Sequence, residues 1–213
     1  MNIVQYYIAR LFLWMSGKKY VNKGTRIFKN GKTKEVLVYK EKKPLLIAQN
    51  IAFINVIILN ADLENIYSKD VQEFVLEHEY AHSRLFFLIS WIWLCLILIF
   101  GLFFVGSLMT SLTLLILILV NYTKYHILFF NSLISLIVSL LVTTFLSWIE
   151  EFRAEKNAIK TMGIAVTEKV YTEMDEKRPK RAFYYSIIGI ITHPPKTLVL
   201  KICKYLYKKK QKK

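Results

Sequence analysis

The chain has 213 residues, is 54% hydrophobic and carries a formal net charge of +15. That length holds one domain with a membrane region, not two independent soluble domains. The charge does not mark a nucleic-acid binder: 13 of the 30 Lys and Arg lie in residues 1–84, 16 lie in 150–213, and only Lys124 is charged between them. Basic flanks around a lipid-soluble block are the positive-inside pattern. It puts both flanks in the cytoplasm, and no recognition motif argues for nucleic acid as a partner.

In chain order, Ile3 to Met15 is apolar but short and interrupted by Gln5 and Arg10. Residues 1–17 are therefore expected to form an interfacial amphipathic helix rather than a span or a cleavable signal. Thr25–Lys29 and Lys34–Tyr39 flank Asn30-Gly31, a hairpin signal. Leu45–Ile47 and Ala52–Asn60 follow, and Phe53–Leu59 reads as one strong strand. A small sheet thus comes first, covering the next helix and offering an edge to an extended peptide.

That helix carries the motif around which the chain is organised. Val71, Phe74, Val75, His78, His82 and Leu85 recur at helical spacing. Ser68 or Asp70 can cap its start, and Asp70 with Glu73 reads as a capping box. His78, Glu79 and His82 form H-E-x-x-H. Residues four apart share a helix face, so two imidazoles stand side by side with Glu79 on the adjoining edge. A hydrolytic zinc site needs two neutral nitrogen ligands and a carboxylate that takes a proton from water.

Leu85–Val120 is almost wholly apolar, Asn121–His126 is polar and aromatic, and Ile127–Ile149 is a second apolar run. Two crossings are expected, near 86–106 and 127–148, with 107–120 embedded but not crossing. Glu150-Glu151-Phe152-Arg153-Ala154-Glu155 begins where the second run ends, and Gly163 is the expected helix stop. A charged amphipathic helix is expected over 165–178, an apolar segment over Ala182–Ile191, a break at Thr192–Pro195 and a basic amphipathic tail over Lys196–Lys213. The two cysteines, Cys95 and Cys203, make no disulfide framework.

A catalytic zinc takes three protein ligands, and a carboxylate from a second helix is one standard third. Glu151 is placed for that role at the membrane exit. Glu150 is its immediate neighbour, about 100° away around the helix, and cannot face the same point well. Glu155 shares the Glu151 face one turn on.

H-E-x-x-H, two spans and then E-F-R-A-E resemble the membrane gluzincins, the HtpX-type heat-shock proteases and CAAX prenyl endopeptidases, whose second motif is E-x-x-A-D. The acidic lead-in from Leu63 to Glu77, Gly163-Ile-Ala-Val-Thr167 and Thr192-His193-Pro194-Pro195 add to the likeness, which covers roughly residues 45–200. The resemblance implies a mainly α membrane protein. It implies a zincin-like catalytic domain with a small β-sheet, and about two transmembrane helices inserted between the H-E-x-x-H helix and the third-ligand helix. It implies Zn2+ held by His78, His82 and Glu151, Glu79 as general base, His193 as oxyanion donor, and Glu155 behind a ligand histidine.

Three departures stand out: Glu155 replaces Asp, Val199 falls near a family arginine that Lys196 or Lys201 would replace, and only Ile3–Met15 stands where HtpX types carry two amino-terminal spans. The expected protein is a multi-pass cell-membrane zinc endopeptidase facing the cytoplasm, acting on membrane-associated proteins or peptides. The alternative is a catalytically idle, metal-stabilised scaffold, which has no need of Glu79. A channel or transporter is weaker, because the membrane block has almost no ionisable group.

Overall fold

A computed structural model of the chain describes residues 1–41, 48–51, 54–83, 87–120, 125–177 and 191–211. The expected strand Leu45–Ile47, Arg84, Asn121–Lys124 and the apolar segment 182–190 lie outside the described residues. The rest is mostly helical, with one small mixed sheet.

Helix α1 (Ile3–Met15) opens with a capping box: the Asn2 side chain accepts from Gln5 N–H, and the Gln5 side chain accepts from Asn2 N–H. Strands β1 (Lys19–Ile27), β2 (Thr33–Lys40), β3 (Ala48–Ile51) and β4 (Val56–Asn60) form a sheet in the order β1-β2-β4-β3. β1 and β2 are antiparallel, β2 and β4 parallel, and β4 and β3 antiparallel. The turn expected at Asn30-Gly31 is present, with Gly31 at φ 75°. The single strand expected over Phe53–Leu59 is not: Asn55 takes the left-handed conformation at φ 56°, which turns the chain so that 48–51 and 56–60 pair. Asn tolerates that backbone better than any β-branched neighbour. Hydrophobic alternation runs across the turn and conceals it.

All five residues of β4 are buried because the sheet is covered on both faces. Val56 and Ile58 pack with Ala9 and Leu13 of α1, while Ile57 and Leu59 pack with Tyr80 on the opposite side. Tyr80 belongs to α3 (Lys69–Ser83), the H-E-x-x-H helix, which the short α2 (Leu63–Ile66) precedes. The acidic lead-in is therefore two helices rather than one. Of the two residues expected to cap α3, Ser68 rather than Asp70 does so: Ser68 Oγ accepts from Val71 N–H at 3.5 Å, and its own N–H donates to Glu173 at 2.8 Å.

Two long helices follow, α4 (Phe87–Leu119) and α5 (His126–Met162), both long and apolar enough to span a membrane. They run side by side, with Ser107 hydroxyl-bonded to Ser135 and Ser111 to Ser132, each at 2.8 Å. Leu102, Leu119, Ile127 and Leu141 point outward, where a water-soluble fold would place polar groups. Residues 107–120 are not the separate embedded segment expected from length. Their hydroxyls bond to α5 and 107–119 simply continue α4. Helix α5 runs unbroken from the apolar run through Glu150–Glu155 to Gly163, the expected stop, whose φ is 86°.

Helix α6 (Ile164–Glu176) starts at once, and α7 (Lys196–Gln211) begins after the Thr192–Pro195 break. Val71, Phe74 and Val75 of α3, Ala158, Ile159 and Met162 of α5, Val170 and Tyr171 of α6, and Val199 and Cys203 of α7 form one core. Each fully buried aliphatic side chain there contributes about 1.5–3 kcal/mol. That core clamps the far part of α5 onto α3, and the clamp positions the site.

Candidate metal centre

α3 and α5 approach closely because small residues line their contact: Ala81 and Ala154 are almost wholly buried. Arg153 donates to the Ala81 carbonyl at 3.0 Å and Ser83 Oγ to the Tyr80 carbonyl at 2.8 Å, satisfying two last-turn carbonyls of α3. Glu77, also buried, accepts from Lys29 N–H at 2.7 Å. It ties the β1–β2 turn to the helix and takes no part in the site.

The ring nitrogens His78 Nε2 and His82 Nε2 lie 3.2 Å apart. Glu151 reaches between them, with Oε2 at 3.3 Å from His78 Nε2 and Oε1 at 3.5 Å from His82 Nε2. These three side chains form a group that could hold a metal ion. A fit test comes from Glu151 itself: Oε2 is buried and accepts no hydrogen bond among the described residues. A buried carboxylate oxygen without a donor is costly. Here it lies 3.3 Å from His78 Nε2 while Oε1 faces His82 Nε2, a donor set suited to a cation.

Outside this triad the two histidines are held by different groups. His78 Nδ1 is 2.8 Å from Glu155 Oε2, a close charge contact rather than an aligned hydrogen bond. Glu155 in turn accepts a hydrogen bond through Oε1 from the Tyr171 hydroxyl on α6. The extra methylene of Glu155 relative to Asp is thus accommodated by a tyrosine that fixes its far oxygen. His82 Nδ1 is 3.8 Å from Glu150 Oε2, and Glu150 pairs with Arg153 at 3.2 Å. Glu150 does not point at the triad, as the 100° argument anticipates. It does flank the outer side of His82, a contact the sequence reading missed.

Charge follows this geometry. Burial opposes protonation of His78, but Glu151 and Glu155 prevail and hold its pKa well above the usual imidazole value. Burial opposes protonation of His82 also, and Glu150 and Glu151 again prevail. For Glu79 burial pushes the carboxyl up, while the two histidines and the Asn50 N–H partly draw it back. A raised carboxyl is what proton transfer near neutrality favours.

His193 comes to the same place from the other end of the chain: its Nε2 is 3.4 Å from Glu151 Oε2 and its Nδ1 is 2.7 Å from the Thr192 hydroxyl. It is well exposed, unlike the triad. Lys196 is not free to take the place of the family arginine. Its ammonium pairs with Asp175 at 3.0 Å and lies 5.2 Å from the Tyr171 ring centre. Asn50, on the edge strand β3, is a further residue the sequence reading missed. Besides the backbone contact to Glu79, its side-chain amide is buried with no partner among the described residues. Nothing in the pattern Gln49-Asn50-Ile51 announces this, because the strand itself is hidden by the Asn55 turn.

No family model, curated protein or solved structure matches this chain. What can be said of its chemistry rests on the cluster His78, His82, Glu151 and its neighbours.

Proposed function

We propose that the protein is an integral membrane zinc endopeptidase, with α4 and α5 crossing the bilayer and the site at the cytoplasmic face. One observation carries the reading: two α3 histidines and one α5 carboxylate converge with Glu79 beside them. Tetrahedral zinc with bonds of about 2.0–2.1 Å separates its ligand atoms by roughly 3.3–3.4 Å. The two ring nitrogens, 3.2 Å apart, fit that figure, and each has a different oxygen of Glu151 beside it, at 3.3 and 3.5 Å. The resemblance to membrane gluzincins supports the same assignment.

In this reading His78, His82 and Glu151 hold the ion, which supplies Lewis acidity and lowers the pKa of water toward ~7. Glu79 takes the proton from the attacking water and delivers it to the leaving amine. His193, its Nδ1 occupied by Thr192, turns Nε2 toward the oxygen of the tetrahedral intermediate. Edge strand β3 pairs with an extended peptide, and the unpartnered Asn50 amide offers that peptide a donor and an acceptor beside Glu79. The serine pairs set α4 and α5 in antiparallel register, which carried on one-for-one puts the start of α4 level with Glu150–Glu155. A site at that level favours membrane-proximal substrates.

Glu79→Gln is the direct test. The purified variant is expected to retain one zinc per chain and to lose chelator-sensitive cleavage of casein in detergent. Wild-type turnover in the variant would remove Glu79 as base. Zinc without cleavage in the wild type would favour the scaffold reading.

A further inference from the structure

Helix α1 has two apolar faces, and the fold uses only one. Ala9 and Leu13 are fully buried against Leu37, Tyr39, Val56 and Ile58 of the sheet. Ile3, Val4, Tyr7, Leu11, Trp14 and Met15 are 54–76% exposed. At 100° per residue these six fall within an arc of about 120° on the side opposite Ala9 and Leu13. The capping box fixes the start of the helix, so the stripe is a formed surface rather than a frayed end.

We infer that this stripe is a second membrane contact, lying in the surface of an anionic bilayer, the same bilayer that α4 and α5 cross. Charge identifies the occupant. Of the eight Lys and Arg in residues 1–34, Lys23, Arg26 and Lys29 pair with Glu35, Glu64 and Glu73 and Lys18 is buried, which leaves Arg10 and Lys19 beside the stripe without a carboxylate partner among the described residues. Arg10 flanks the stripe, its guanidinium 4.7 Å from the Tyr20 ring centre, and Lys19 is exposed just past the helix. Lysines and arginines near an anionic surface are attracted to it. A second copy of the chain would instead bring two such cationic segments together. Trp14 and Tyr7 are the aromatic types that settle at the headgroup level.

The contact would fix more than α1. The Gln5 side chain donates to the Ile54 carbonyl at 2.9 Å, and Ile51 and Ile54 pack with α1. The helix resting on lipid therefore holds the β3–β4 hairpin, whose Asn50 touches Glu79. Seating α1 sets the height of edge strand β3 over the membrane.

The inference rests on the reading that α4 and α5 span a bilayer, and the test separates the two. Full-length protein with Cys95→Ser and Leu11→Cys carries a nitroxide on the stripe, with buried Cys203 kept. It is reconstituted in vesicles of phosphatidylcholine and phosphatidylglycerol, and collisions with oxygen and with a water-soluble nickel chelate are compared. The Leu11 label should lose nickel collisions and keep oxygen collisions, and a label at Lys19 should show the reverse. Leu11→Cys with Trp14→Glu should restore nickel access, since Trp14 supports no packing in the fold. Nickel access at Leu11 in the parent would overturn the lipid contact. Spin–spin broadening would assign the face to a second copy, and shielding from both reagents to a protein partner. A label at Ile137 open to nickel in the same vesicles would instead refute the spanning reading.

Discussion

The two sides of the candidate metal centre are built to different standards. His78 is backed by Glu155 at 2.8 Å, and Glu155 is itself fixed by Tyr171 from α6. His82 is backed by Glu150 only at 3.8 Å, and Glu150 divides its attention with Arg153. The closer side lies toward the packed core of α3, α5, α6 and α7, and the looser side toward the apolar part of α5. The closer backing of the site therefore comes from that core. Removing groups one at a time should expose the gradient.

The largest effect belongs to the group both histidines share. Glu151→Ala removes a ligand from each side at once and is expected to lower zinc affinity by more than ~100-fold, exceeding the range for outer partners. Zinc content after dialysis at neutral pH measures it. Full retention would overturn the ligand assignment.

Glu155→Ala should lower affinity by ~10–100-fold, because the His78 ring loses its restraint. Tyr171→Phe is one step further out. It leaves Glu155 in place but takes one hydrogen bond of about 1 kcal/mol, roughly fivefold if all of it reaches the metal. Competition with a chromogenic chelator orders the two. Equal losses would mean that Tyr171, not charge on Glu155, controls the ring.

The pH dependence has a definite sign. In the metal-free chain both histidines are raised above 6.5 by their carboxylates. The stability this lends is fully present below the unfolded value near 6.5 and is lost as pH rises through the raised folded values. Zinc needs neutral imidazoles, so its affinity falls as pH drops through the same window. The Tm of chelator-treated protein should therefore fall from pH 6.5 upward while the gap to the zinc-loaded form widens. A gap that is constant with pH would contradict ligation by these histidines.

The site was more legible in the sequence than the fold. H-E-x-x-H places His78, His82 and Glu79 on adjoining helix faces through periodicity alone, and Glu151, expected from its place at the end of the second apolar run, is brought to the two histidines. α1, the Asn30-Gly31 hairpin, the Gly163 stop and the α7 tail also follow from local signals. The misses were long-range. The Asn55 turn is masked by the apolar residues that run on either side of it from Ile51 to Leu59, so β3 and Asn50 went unseen. Residues 107–119 look surplus by length, yet the serines that make them one helix with α4 find partners only on α5. The outward contact of Glu150 depends on Arg153 reaching Ala81, which no spacing rule reports.

The smallest effect should be at Glu150. At 3.8 Å its carboxylate is beyond hydrogen-bond range of His82 Nδ1, so what remains is attraction at the edge of the site. Such a partly screened pair contributes about 0.5 kcal/mol, or roughly twofold in affinity. Arg153 keeps its bond to the Ala81 carbonyl when Glu150 is cut to Ala, so the end of α3 stays closed. Glu150→Ala should bind zinc within about twofold of wild type on that figure. A loss as large as that of Glu155→Ala would show that binding draws Glu150 onto His82. The two sides would then be equal in the loaded protein, and the asymmetry would belong only to the metal-free chain.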